Sequence, residues 1–200
     1  MLSAPEIVEV HDRLTSVWHQ EAAFDEGASD WLIAVAKQHR ANFDLWHIED
    51  EARTPGASDA ELADVKRRVD TTNQRRNDLA EELDRILLAY LEPQLLPAAD
   101  APLHSESPGL IIDRLSILAL KIYHTREEAG RIKAPQGHAE RNQSRLAILE
   151  EQRAELAACL GILWHETLGG TRRFKLYRQL KMYNDPTLNP AIYKKMATDS

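Results

Sequence analysis

Apolar residues recur at alternating steps of three and four along most of the chain, and almost nowhere do apolar and polar residues alternate. Leu62, Val65, Val69, Thr72, Arg76, Leu79, Leu83, Ile86 and Tyr90 form one such seam; Leu146, Leu149, Arg153, Leu156, Leu160 and Leu163 form a second. That spacing keeps one side of an α-helix apolar and predicts an all-α protein. Helix punctuation divides it. Ser3 and Glu6, with Pro5 between, open a helix running to about Phe24, and Asp25–Ser29 reads as a turn. Further helices are expected over 30–53, 58–91, 107–131 and 138–168, with breaks at Thr54-Pro55-Gly56-Ala57, at the Pro-punctuated stretch 93–107 and at Ala134-Pro135-Gln136-Gly137. Ser58 with Glu61 forms a second capping box. Gly169-Gly170 ends the fifth helix; a short basic helix over 171–183 and an irregular tail from Asn184-Asp185-Pro186 are expected to follow.

A constant offset of 77 residues pairs Arg76 with Arg153, Trp46 with Tyr123, His47 with His124 and Asp50 with Glu127. One ungapped offset serving two helices and their connection predicts a duplicated helical hairpin, 30–92 and 108–168. Two hairpins make a bundle of four long antiparallel helices with an internal pseudo-two-fold axis, with residues 36–86 superposing on 113–163. The first and last helices are expected outside it, and residues 1–200 are read as a single domain.

The 200 residues carry a formal net charge of −7, so no global field draws the chain to nucleic acid or an anionic membrane. With 43% apolar residues a real core is expected. The only cysteine, Cys159, excludes an intramolecular disulfide and reads as a small packed hydrophobe. No apolar run is long enough to span a membrane, and the start lacks a basic and an apolar leader region, so a cytoplasmic protein is expected.

Both seams are interrupted by an arginine. A buried guanidinium needs an acceptor, and the offset offers Asp50 and Glu127, with Asp70 and Asp113 as further candidates. This ionic layer either fixes helix register or lines a polar pocket for an anionic or sugar-like ligand. Asn42, Asn73 and Asn77 beside Arg76 and Arg153 suit hydroxyls and phosphates, and Trp46 and Tyr123 offer an apolar wall. His47 with Asp50 and His124 with Glu127 sit three residues apart, as metal ligands do. However, Arg76 and Arg153 stand where a dimetal centre needs carboxylates, so neither metal nor cofactor is expected. Glu49 and Arg53 read as an exposed ion pair. The run 172–181, basic with interleaved apolar residues, is a candidate protein-docking surface, and homo-oligomerisation stays open.

Four strings, Asn42–Arg53, Asn73–Asp78, Pro108–Leu118 and Tyr183–Pro190, together resemble domain-of-unknown-function family 4254 of bacteria. The resemblance implies an uncharacterised protein associated with envelope polysaccharide or lipopolysaccharide biosynthesis, and it carries over no catalytic residue. The leading expectation is a ligand-binding or accessory protein with a central polar pocket. Whether it is an enzyme stays open. One alternative is a hydrolase acting on a nucleotide or phosphosugar, for which Asp70-Thr71-Thr72-Asn73 departs from the acidic motif of all-α pyrophosphohydrolases. Another is a scaffold whose ionic layer is structural.

Overall fold

The computed structural model describes residues 2–20, 29–178, 180 and 187–190. Among these are five α-helices and no strand: α1 (Ala4–His19), α2 (Asp30–Glu51), α3 (Asp59–Leu91), α4 (Pro108–Ala129) and α5 (His138–Leu168), with a 3-10 turn at Glu92–Gln94. The all-α bundle is the expected fold class. The starts follow local chemistry. Ser3 and Ser29 accept hydrogen bonds from the Glu6 and Leu32 amides, and Ser58 and Glu61 close the reciprocal box on α3. Gly137, at φ +74°, supplies the left-handed residue that enters α5.

Each hairpin is antiparallel: Glu51 on α2 reaches Arg68 on α3, and Arg126 on α4 reaches Glu150 on α5. Between hairpins, α2 and α4 run parallel, since Gln38 meets Asp113, His39 meets Ser116 and His47 meets His124. The last two pairs are 77 residues apart, so positions the sequence offset equates face each other. Helix α1 runs parallel to both, with His11 beside His39 and His19 beside His47.

Helix α1 is not peripheral as expected. Its Ile7, Val10 and Leu14 enter the main core with Leu83, Leu87 and Leu91 of α3, Ile111, Ile112 and Leu115 of α4, and Leu160 and Leu163 of α5. The reason lies in α3, whose early half is largely exposed and whose later buried face, Ala80, Leu83, Leu87 and Leu91, needs a partner. The basic segment also departs from expectation. Its described residues 171–178 are not helical: the Arg173 amide donates to the Pro102 carbonyl, and the Arg173 carbonyl accepts from the His104 amide. Phe174 is thereby buried in the core. Gln179, residues 181–186 and residues 21–28 lie outside the described part. Cys159 is exposed rather than packed, because α5 has neighbours on one side only.

Helices α3 and α4 touch at Gly109. A Cβ there would collide with the Ala80 carbonyl oxygen, while at Gly161, on the open side of α5, nothing stands within 4 Å of it. Gly109→Ala is therefore expected to destabilise the protein by about 1–3 kcal/mol through forced helix separation. Gly161→Ala should stabilise it by about 0.5–1 kcal/mol through helix propensity. Urea unfolding of the two variants against wild type checks both signs.

Candidate functional site

Asp113 is 6% exposed near the start of α4, and four hydrogen bonds surround its carboxylate. Oδ1 accepts from Gln38 Nε2 (2.6 Å), Asn42 Nδ2 (2.9 Å) and Arg76 Nε (2.7 Å); Oδ2 accepts from Arg76 Nη2 (2.5 Å). The Arg76 fork is bidentate, the geometry in which guanidinium and carboxylate bind best. Its acceptor is thus Asp113, the further candidate, and not Asp50. Asp50 is exposed, and Asp70 pairs with Lys66 on the surface.

The layer continues through α2, α4 and α1 as a chain whose proton directions can be assigned. Thr15 Oγ1 donates to the His11 carbonyl (2.8 Å), so it accepts from His39 Nε2 (2.9 Å). His39 then holds its lone pair on Nδ1 and accepts from Ser116 Oγ (2.7 Å), which in turn accepts from Asn42 Nδ2 (2.9 Å). The second Asn42 proton goes to Asp113. This requires a neutral His39, and burial pushes its pKa down to about 3. Its neighbour His11 is also held neutral, by burial first, then by the repulsion that charging His39 as well would bring, and by the Arg153 guanidinium.

The other predicted residues divide into two groups. On the α3 side of the α2–α4 pair, Asn42, Leu45, Trp46, Glu49, Asp50, Arg53, Arg76, Ile117 and Leu120 line a cavity of about 340 Å³. Asn73 Oδ1 accepts weakly from Arg76 Nη1 (3.5 Å), and the Glu49–Arg53 pair forms at 3.3 Å as expected. Asn77 is half-buried on α3 and does not line the cavity. Larger grooves of about 740 and 710 Å³ run along α5 and, Arg153 apart, include none of the predicted residues.

On the α1 side, His47, Tyr123, His124 and Glu127 gather with His19, which the sequence did not single out. His124 Nδ1 donates to Glu127 Oε2 (3.0 Å), and His47 Nδ1 donates to the Phe43 carbonyl (2.8 Å) rather than to Asp50. His19 stacks on Tyr123 with centroids 4.3 Å apart, and Trp46 stacks on His124 at 4.9 Å. The three imidazoles each bring a nitrogen within 4.8 Å of the other two. The expectation of a metal-free site rests on Arg76 and Arg153 standing beside it where a dimetal centre needs carboxylates. Instead Arg76 is bound to Asp113, and Arg153 is bound to Asp12 of α1 (2.6 Å), a partner the hairpin offset could not suggest.

Two pH effects of opposite sign follow. His11 and His39 have depressed folded-state pKa values, so their stability contribution is complete above about 6.5 and is lost as pH falls below it. Asp84, accepting from the Gly109 amide at 2.7 Å, is pushed up to about 6 by burial, so its contribution is present below about 3.8 and lost as pH rises through 6. Two histidines outweigh one carboxyl, and net stability is expected to fall as pH drops from 6 to 4. Urea unfolding across that range checks it, and Asp84→Asn should steepen the fall.

Breaking the ion pair has a separate cost. Arg76→Met is expected to cost about 3 kcal/mol, the low end for a buried pair, because its side chain keeps about a quarter of its exposure. Adding Asp113→Leu should recover only part of the loss, since the Gln38 and Asn42 amides then lack their acceptor. A double-mutant cycle by chemical denaturation reads both quantities.

A family model described as a protein of unknown function (DUF4254) matches residues 32–176. No curated protein and no solved structure matches the chain.

Proposed function

We propose that this chain, which belongs to the DUF4254 family, binds a small polyhydroxylated anion, a sugar phosphate being the model ligand, in the cavity between α2, α3 and α4. The cavity's mixture of groups carries the reading. Its volume of about 340 Å³ falls at the small end of ligand sites. Trp46, Leu45, Ile117 and Leu120 supply apolar wall, on which a sugar ring packs its C–H face. Glu49 and Asp50 accept hydrogen bonds from hydroxyls, and Arg53 with the less engaged Nη1 of Arg76 faces an anionic group. Arg76 is held by Asp113 before any ligand arrives, so its orientation costs little on binding.

Such a ligand fits an accessory role in assembly of envelope polysaccharide or lipopolysaccharide. A hydrolase acting on a phosphosugar or nucleotide would use the same cavity and add turnover, whereas a purely structural layer would leave it without a ligand. The facing pairs His39–Ser116 and His47–His124, each 77 residues apart, support duplication of the hairpin. Arg153 pairing with Asp12 rather than within α4 marks where the copies diverged.

The test is a thermal-shift panel of hexose phosphates and nucleotide sugars, with tryptophan fluorescence and product analysis on the same samples. A ligand at a hundred times its Kd should add about 2.7 kcal/mol of stability, raising Tm by roughly 5–10 °C for a chain of this size. Arg53→Ala and Asp50→Ala, both at exposed positions, should remove the shift without lowering the ligand-free Tm by more than about 2 °C. A panel with no shift and no fluorescence change would refute the reading.

A further inference from the structure

We infer that His19, His47 and His124 form a mononuclear site for a divalent transition metal of the zinc type, distinct from the sugar-phosphate cavity and not dependent on it. The site lies on the α1 side of the α2–α4 pair, and the cavity lies on the α3 side; Trp46, which stacks on His124 and lines the cavity, is the shared element.

His19 Nδ1 lies 2.7 Å from the Thr15 carbonyl, His47 Nδ1 2.8 Å from the Phe43 carbonyl, and His124 Nδ1 3.0 Å from the Glu127 carboxylate. Those oxygens only accept, so every Nδ1 carries the hydrogen, and each neutral ring keeps its lone pair on Nε2. Nε2 of His19 and Nε2 of His124 are both buried and without a partner among the described residues. A buried acceptor without a partner is costly, so these two atoms call for a donor or a cation that the described residues do not supply. One nitrogen of each ring lies within 4.8 Å of one nitrogen of the other two, close enough for a single cation to draw all three rings together.

The geometry and the surroundings fit that cation. A point central to the three nitrogens stands at most about 2.8 Å from each, so Zn–N bonds of roughly 2.0–2.1 Å in a tetrahedral site ask each ring to move by up to about 0.8 Å. Oxygen acceptors on Nδ1 are the outer-shell partners that orient metal-bound histidines and raise their basicity, and Glu127–His124 supplies the carboxylate version. Stacking on Tyr123 and Trp46 holds the His19 and His124 ring planes, and a tilted contact with Phe43 holds that of His47. The nearby Arg40 guanidinium lies over the Trp18 and Phe43 rings and is neutralised by Asp44 at 2.7 Å. Three neutral nitrogen donors favour Zn(II), Co(II), Ni(II) or Cu(II) over Mg(II) and Ca(II). Three protein ligands also leave a fourth position for water or an exogenous donor.

The test uses the full chain, stripped with a chelator and dialysed against Zn(II) or Co(II), with bound metal measured by elemental analysis. One equivalent is expected, with the visible absorption of a four- or five-coordinate nitrogen site in the cobalt form. His19→Ala, His47→Ala and His124→Ala should each weaken binding at least 100-fold, while His104→Ala and His165→Ala leave it within 2-fold. Wild-type imidazole nitrogen NMR gives a readout that needs no variant: one equivalent of Zn(II) should move three Nε2 resonances and leave their Nδ1–H protons in place. Binding below 0.1 equivalent, or equal binding by the three site variants, would overturn the inference. Because no sugar phosphate enters these measurements, their failure is separate from failure of the cavity reading.

Discussion

The burial of the Asp113 carboxylate is the constraint on which the arrangement of helices depends. An anion with so little exposure is tolerable only when charge and donors are delivered from other helices. Arg76 brings the charge from α3, and Gln38 and Asn42 bring amides from α2. Slipping any of the three helices by one turn would strand at least one donor or the carboxylate itself. The ion pair is better understood as a register device than as a source of stability, since a well-packed apolar pair of similar volume could stabilise comparably.

From Asp113 the same logic extends to α1. Asn42, Ser116, His39 and Thr15 pass hydrogen bonds in one assignable direction to the His11 carbonyl, so the side-chain layer joins α1, α2, α3 and α4. Because α1, α2 and α4 run parallel, residues a fixed number of turns beyond the layer arrive at one level. His19 lies eight residues past His11, which packs on the His39 ring, His47 eight past His39, and His124 eight past Ser116. The convergence of the three imidazoles is thus a consequence of the register set below them. The same parallel pair, seen from α3, forms the wall of the cavity that holds Trp46, Asp50 and Arg53.

Helix α5 contrasts with this tightly specified centre. It contributes Leu160, Leu163 and Trp164 to the core, yet Ile148 and Ile162 are more than half exposed, and Cys159 lies on the surface. Among the described residues no helix is long and apolar enough to cross a membrane. The position of α5 at the rim explains why its seam, with leucines at heptad-like spacing, buries fully only near its end.

Local chemistry in the sequence was enough to determine the five α-helices observed, though it also predicted a helix from 171 that does not form over residues 171–178. Ser3, Ser29 and Ser58 cap the starts, Pro108 enters α4, and glycine and proline mark the ends; observed boundaries fall within a few residues of those the pattern predicts, apart from the end of α1. The sequence also required that Arg76 find a carboxylate, because an unpaired buried guanidinium is prohibitive. Which carboxylate it finds, that α1 enters the core, that Arg153 turns to Asp12, that residues 171–178 are not helical and Arg173 bonds to Pro102 and His104, and that His19 joins His47 and His124 were decided only by the tertiary structure. The physical reason is one of range. Periodicity and capping act within a turn or two of helix, while pairing between helices depends on order, direction and register over more than a hundred residues.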